Sequence, residues 1–313
     1  MGSFSLPKLP IIDMSQENLM AGTSSWLSVC NDVVRALEEY GCFVAVYNKV
    51  SLDLHNSIFQ ALKDVFDLPT EVKMKNISDK PYFGYVGEQP GLAALRQGMG
   101  IDDANTLQGA QSFTNLMWPA GNDLFCETAL SYSKLVSELE QLVKRMIFES
   151  YNVEKYYESH IESTTYLLGL NKYRGPKTNE SSIGCNMHTD KSFITILHQN
   201  QVNGLEIQTK DGNWIGFEPQ PSSFLVMAGD AFLAWSNGRI HPAMHRVVMS
   251  GSEPRYSLGL FAFNSGIIQI PEELVDDEHP QQFKSFDNLG LLRYFASEEA
   301  QKTKSSAKAY CGV

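Results

Sequence analysis

His188 and Asp190 stand two residues apart in Met187-His188-Thr189-Asp190-Lys191-Ser192, and their types and spacing could do chemistry. They open the run Phe193-Ile194-Thr195-Ile196-Leu197, whose apolar and β-branched residues predict a strand. On a strand, residues i and i+2 share a face, so imidazole and carboxylate would aim at one point. One more histidine would complete the two-histidine, one-carboxylate set that suits non-haem Fe(II) and leaves coordination positions open. A bare H-x-D pair arises often by chance, so the third ligand decides whether it matters.

Six other histidines compete for that place. His55 and His160 fall in helical or pre-barrel segments and read as surface residues, and His279, before Pro280 in an acidic stretch, reads as loop. His198 lies ten residues along the same predicted strand, about 30 Å from His188 and beyond reach of a shared metal. His241 and His245 remain. Their i, i+4 spacing would suit a helical pair, but Gly238 and Pro242 disfavour a helix there. His245 starts the predicted strand His245-Arg246-Val247-Val248-Met249, where a ligand can face a barrel mouth, and is preferred; His241, in the turn, is the alternative. Arg255 and Ser257 form a second i, i+2 pair, a guanidinium fork beside a hydroxyl that suits a bidentate grip on a carboxylate. An exposed arginine on an edge strand is the competing reading, since inside a barrel an unpaired arginine is costly.

These residues need elements to hold them. Residues 9–13 predict a short strand and 42–47 a second. Helical spacing of Leu27, Cys30, Val34 and Leu37 predicts a helix over 26–40 that Gly41 stops. A second amphipathic helix spans 51–66 and ends before Asp67-Leu68-Pro69; a long one spans 125–151. Residues 76–111, rich in Gly, Pro, Asn and Asp, read as a long loop region of the kind that forms binding loops or lids. From Thr164 the texture turns to short strand-like runs at 165–173, 192–198, 205–209, 214–217, 223–227, 232–235, 245–249 and 256–263, with an Asp211-Gly212 hairpin signal. Eight such runs predict a mainly β, double-sheet jelly roll or barrel. The tail from 286 to 313 returns to a helical pattern through Leu289, Leu292 and Phe295. The expected organisation is a helical and mixed N-terminal region (1–160), a β core (161–270) and an integrated helical tail (271–313).

The chain has 313 residues, of which 43% are hydrophobic and 19% charged, an ordinary globular composition. A net charge of −11 without a basic face argues against nucleic acid or an anionic membrane as partner. The five cysteines are scattered without a C-x-x-C pair, which suits a reducing compartment. The first seven residues lack a signal peptide's regions, and Leu6 in place of Ser or Thr removes the myristoylation pattern behind Gly2. No apolar run reaches the roughly 18 residues of a membrane span, and the sequons at Asn76 and Asn179 are expected to be unused. These features predict a cytoplasmic protein, a monomer with a small-molecule substrate as its partner.

With these residues in place, the chain resembles a plant 2-oxoglutarate/Fe(II)-dependent dioxygenase of the large specialised-metabolism superfamily, along nearly its whole length. The resemblance rests on an ordered set: Leu9-Pro10-Ile11-Ile12-Asp13, Glu39-Tyr40-Gly41-Cys42-Phe43, Phe66-Asp67-Leu68-Pro69, Asn171-Lys172-Tyr173 and His188-Thr189-Asp190. It continues through Gly204-Leu205-Glu206, Gly212-Asn213-Trp214, Gly229-Asp230, Asn237-Gly238-Arg239, His245-Arg246-Val247 and Arg255-Tyr256-Ser257. Residues 113–119 and the ending Ala309-Tyr310-Cys311-Gly312 are similar to the branch containing glucosinolate side-chain dioxygenases and deoxypodophyllotoxin synthase. Asn48-Lys49-Val50 departs from the family's Asn-His-Gly, away from the metal motifs.

The resemblance implies a double-stranded β-helix in which His188, Asp190 and His245 bind Fe(II). It implies that Arg255 and Ser257 hold the distal carboxylate of 2-oxoglutarate, that Tyr173 hydrogen-bonds this co-substrate and that Asn171 lies near its metal-bound end. The chemistry it implies is consumption of O2 and 2-oxoglutarate to give succinate and CO2, ascorbate being a supporting reductant, with hydroxylation, desaturation or ring closure at a substrate C–H bond. The Asp190 carboxylate disfavours halogenation, because related halogenases carry a small residue there. The substrate-pocket candidates are Tyr85, Phe113, Leu116, Phe193, Phe261 and Phe263, a set that suits a fairly hydrophobic small molecule. Ordinary core packing is the competing reading for these side chains, Phe261 among them. A hormone-inactivating oxidase and a non-catalytic binder on the same scaffold are the alternatives.

Overall fold

Side-chain caps and turn glycines set the N-terminal helices in a computed structural model that describes residues 8–15, 19–88, 95–300, 303 and 305–313. The leader and acylation expectations fall on residues 1–7, outside the described residues. After strand β1 (Ile11–Asp13), helix α1 (Ser24–Glu39) begins where Thr23 accepts a hydrogen bond from the Trp26 amide. It ends before Gly41, whose φ of +73° only glycine adopts without strain. Strand β2 (Cys42–Val46) follows, then α2 (Leu52–Asp67), capped by Ser51 in the same way, and the single turn α3 (Thr70–Lys73). Strand β3 (Arg96–Asp102), α4 (Leu107–Met117), the long α5 (Asp123–Ser150) and α6 (Tyr157–Glu162) complete this half.

The second half contains β4 (Thr164–Tyr173), β5 (Ile183–His188), β6 (Ile194–Gln199), β7 (Leu205–Gln208), β8 (Trp214–Gly216) and β9 (Ser223–Ala228). Helix α7 (Asp230–Trp235), β10 (His245–Val248), β11 (Arg255–Asn264), β12 (Ile267–Ile268), β13 (Phe286–Asp287), α8 (Asn288–Phe295) and α9 (Ser306–Cys311) follow. Seven strands form a major sheet in the order β1-β2-β9-β6-β11-β4-β3, and four form a minor sheet in the order β5-β10-β7-β8. The N-terminal half thus supplies three strands of the major sheet.

Period-two alternation assigns each face of that sheet. On β9, Phe224 and Val226 join the helical-layer core with Val136, Leu139, Val143 and Met146 of α5. Leu225 and Met227 point the other way, onto Leu205, Ile207, Ile215 and Val247 of the minor sheet. The mainly β jelly-roll core with flanking helices is therefore present, and the cleft between its sheets is where a site can sit. Among the described residues no helix is long and apolar enough to cross a membrane.

Several local expectations are corrected. Residues 232–235, expected as a strand, lie in helix α7, all six of whose residues are buried. A continuous apolar run has no period, so a buried helix cannot be told from a buried strand by pattern. The stretch from His188 to Leu197 is not one strand. β5 ends at His188 in the minor sheet and β6 starts at Ile194 in the major sheet, so Asp190 occupies the crossing between them. Within 76–111, β3 pairs with β4 at seven consecutive positions although its sequence is Arg-Gln-Gly-Met-Gly-Ile-Asp. Tertiary pairing overrides its weak strand propensity.

His55 and His160 are buried, not superficial. His160 packs on Phe148 and Phe193, while His55 Nδ1 lies 3.1 Å from Nε2 of His198 on β6. His198 Nδ1 lies 3.2 Å from the Tyr132 hydroxyl, in the helical layer and away from the metal candidates. Burial, with His55 beside it, lowers the His198 pKa from 6.5 to about 3. The unfolded chain therefore binds a proton that the folded chain refuses, and the resulting stability is present above pH 6.5 and lost as pH falls towards 3. Between pH 7 and pH 5 this one group removes about 2 kcal/mol. A His198→Phe variant should lose that much less over the same interval in urea unfolding, and an identical pH slope would contradict the account.

Candidate active site

Two histidines meet because two antiparallel strands bring them into register. His188, the last residue of β5, is the direct partner of His245, the first residue of β10, and their ring centroids are 4.3 Å apart. Asp190 turns its carboxylate towards both: its Oδ1 lies 3.7 Å from His188 Nε2 and 3.9 Å from His245 Nε2. One ligand atom from each of the three falls within 4.8 Å of the others, a spacing that can hold one metal ion. His241, the other candidate, is not in this group.

The tautomers favour a metal. His188 Nδ1 lies 2.8 Å from the Asn186 carbonyl oxygen and His245 Nδ1 3.0 Å from that of Ala243. A carbonyl only accepts, so each Nδ1 is assigned the proton and each Nε2 turns a lone pair to the centre. Burial lowers the pKa of both rings and keeps them neutral. Asp190 Oδ2 is buried without a hydrogen-bond partner. Two neutral nitrogens and an ionised carboxylate with an orphaned oxygen fit a divalent cation of the Fe(II) type.

The crossing that carries Asp190 is clamped from outside. Lys191 Nζ pairs with Asp230 Oδ2 at 2.8 Å and donates to the Thr189 carbonyl at 2.6 Å. The Asp230 amide donates to the Asp190 carbonyl oxygen at 2.8 Å, and Asn288 of α8 donates to that of Lys191 at 2.8 Å. A Cβ on Gly229 would come 2.0 Å from the Ser192 carbonyl oxygen, so only glycine lets α7 approach this closely.

Facing the minor sheet, the major sheet presents two polar rows. Arg96, Tyr173 and Arg255 are register partners across β3, β4 and β11; Gly98, Asn171, Ser257 and Gln199 form the next row. Arg255 is fully buried, donates to Gln199 Oε1 at 2.5 Å and to Ser257 Oγ at 3.3 Å, and leaves Nε without a partner. Its guanidinium lies 5.1 Å from the Tyr173 ring centroid. No carboxylate of the described residues pairs with it, so the fork is available for an external one.

A family model described as the 2OG-Fe(II) oxygenase superfamily matches residues 150–264, and one described as the N-terminal region of non-haem dioxygenases in morphine synthesis matches 9–103. The chain is 44% identical over 311 residues to the probable 2-oxoglutarate-dependent dioxygenase AOP1.2 of Arabidopsis thaliana, covering 97% of this chain and 95% of that one. It is 32% identical to the Arabidopsis 2-oxoglutarate-dependent dioxygenase AOP3, covering 100% and 99% respectively. The chain belongs to the 2-oxoglutarate/Fe(II)-dependent dioxygenases. Among solved structures, the rice dioxygenase for auxin oxidation aligns with a TM-score of 0.81 at 26% identity, covering 98% of this chain and 100% of that one. The protein is thus an oxidoreductase that uses Fe(II) and 2-oxoglutarate.

The dioxygenase distributes the six pocket candidates unevenly. Phe193 is fully buried between His160, Phe232 and Trp235 and belongs to the core, a correction that its 4.2 Å stack on Phe232 explains. Tyr85 packs on the helical-layer core and hydrogen-bonds Gln97, whose side chain leaves β3 on the face opposite Arg96. Phe113 and Leu116 line a groove of about 510 Å³ with Phe83 and Gly100, a lining that includes neither the His-Asp-His group nor Arg255. Phe261 and Phe263 share the face of β11 that carries Arg255 and Ser257 and cluster with Phe83, Leu167 and Leu292. Sequence reasoning passed over Gln199 and Arg96. Neither carries a local signal, and both become visible only through strand register.

Proposed function

We propose that His188, Asp190 and His245 hold Fe(II), while Arg255, with Ser257 and Tyr173, holds the distal carboxylate of 2-oxoglutarate. Asn171, one register row nearer the strand centre, would lie by the co-substrate's metal-bound end. The reaction is oxidation of a C–H bond in a fairly hydrophobic plant specialised metabolite, by hydroxylation, desaturation or ring closure. The observation that carries this reading is the register itself: a ligand-competent His188–His245 pair and Asp190 on one side of the cleft, and a buried, acid-free arginine on the other.

Bound metal and 2-oxoglutarate supply, with O2, the oxidative decarboxylation that drives hydrogen removal from the substrate. The chain's own contribution is positional. The Asn186 and Ala243 carbonyls hold the imidazole tautomers, the Lys191–Asp230 pair fixes the bend that presents Asp190, and Phe261 and Phe263 offer an apolar wall next to the co-substrate row. The resemblance to the rice auxin-oxidation enzyme favours a hormone-inactivating oxidase as second reading. A binder without turnover has no use for a complete set of metal ligands facing the Arg255–Ser257 pair. Anaerobic loading with Fe(II) and 2-oxoglutarate, followed by O2, should yield succinate. Its absence, with or without a broad substrate panel, would sink the catalytic reading.

A further inference from the structure

Arg96 is the second arginine of the polar row, placed on the opposite side of Tyr173 from Arg255. It is half-buried, and its one described hydrogen bond runs from Nε to the neutral Oδ1 of Asn171 at 2.8 Å. None of the described carboxylates is paired with it. The ionisable groups around the guanidinium are Tyr173, Cys185, Asp190 and Tyr82, and of these only Asp190 is a carboxylic acid, one committed to the metal. Gly98 leaves room at the fork: a Cβ there would sit 3.1 Å from Arg96 Nη2.

Charge counting then decides what Arg96 is for. In the proposed function, on which this inference rests, Fe(II), Asp190, doubly ionised 2-oxoglutarate and Arg255 cancel one another. Arg96 is left as a half-buried surplus cation at the cleft, an arrangement that an incoming anion would neutralise. Beyond it on the same side of the sheet lies the apolar cluster of Phe83, Leu167, Phe261 and Phe263. We propose that Arg96 is a specificity-determining residue that receives an oxyanion, a carboxylate or sulfate, carried by the organic substrate, whose apolar body lies along the Phe261–Phe263 wall. The substrate class is therefore an amphipathic organic anion. A planar guanidinium fork suits either oxyanion in bidentate fashion, which a neutral analogue cannot replace.

The test is anaerobic calorimetric titration of the Fe(II)- and 2-oxoglutarate-loaded protein, in which no turnover occurs. The probes are 3-phenylpropanoate against 3-phenylpropanamide, and benzenesulfonate against benzenesulfonamide. At least one anion should bind about tenfold or more tighter than its neutral partner. Arg96→Gln should erase the preference and Arg96→Lys should retain part of it, with melting temperatures confirming that both variants fold. No anion preference in the wild-type protein, or an equal preference in Arg96→Gln, would overturn the proposal. A tenfold or greater loss of 2-oxoglutarate affinity in Arg96→Gln, with the anion preference unchanged, would assign the arginine to the co-substrate and also overturn it. Wild-type protein that takes up neither Fe(II) nor 2-oxoglutarate would remove the underlying dioxygenase reading, an outcome visible before any probe is added.

Discussion

Asp190→Ala is expected to lower Fe(II) affinity by on the order of 10²- to 10³-fold, the equivalent of about 3–4 kcal/mol, for removing one partner of a buried charge pair. The carboxylate is the one anionic ligand in the group of three, and both imidazoles are kept neutral by burial. Without it a divalent ion meets two neutral nitrogens and loses its charge compensation. In the apo protein Asp190 is a buried carboxylate with Oδ2 unpaired, so its removal should change the metal-free melting temperature far less than the metal-loaded one. A metal-dependent rise in melting temperature should be present in the wild type and absent in the variant, because a ligand stabilises only the state that binds it. Succinate production should fall in parallel. A variant that keeps both the metal-induced rise and turnover would refute Asp190 as a ligand. Asp190→Asn, which preserves shape and removes charge, separates lost coordination from a collapsed bend.

How much of this was legible beforehand follows from where each signal lies in the chain. Thr23, Ser51 and Gly41 announce helix ends through contacts within three or four residues, and such contacts are written locally. The grouping of His188, Asp190 and His245 was also readable, although by the wrong geometry. The expected cause was i, i+2 alternation on one strand, whereas His188 ends one sheet and Asp190 lies in the crossing to the other. The histidine pair is a register contact instead. Arg96 was hidden because a strand with two glycines and one β-branched residue has no intrinsic claim to be one; seven partners on β4 make it so. His55 and His198 meet across 143 residues, and no window of sequence spans that contact. Phe193 and Phe261 are the same residue type with opposite fates, the first sealed in the core and the second on the face of β11 that carries Arg255.

Arg255→Gln is expected to weaken 2-oxoglutarate binding by on the order of 10²- to 10³-fold, about 3–4 kcal/mol, for truncating one partner of a buried, hydrogen-bonded charge pair. The site explains both the size and the selectivity of the loss. Arg255 is fully buried, its Nη groups are oriented by Gln199 and Ser257, and Nε remains free, so the fork is held ready before any ligand arrives. That preorganisation means little ordering entropy is left to lose when a carboxylate binds. Arg255→Lys should recover only part of the affinity, since an ammonium is a point charge without the planar pair of donors. Ser257→Ala should cost about tenfold or less, the range of one hydrogen bond at the edge of the grip. Metal binding should be untouched in all three, because the ligand group stands on β5, β10 and the crossing, away from β11. The decisive pattern is thus a metal-dependent rise in melting temperature that survives and a 2-oxoglutarate-dependent rise that disappears. Unchanged 2-oxoglutarate affinity in Arg255→Gln would mean that the co-substrate's distal carboxylate is held elsewhere in the cleft.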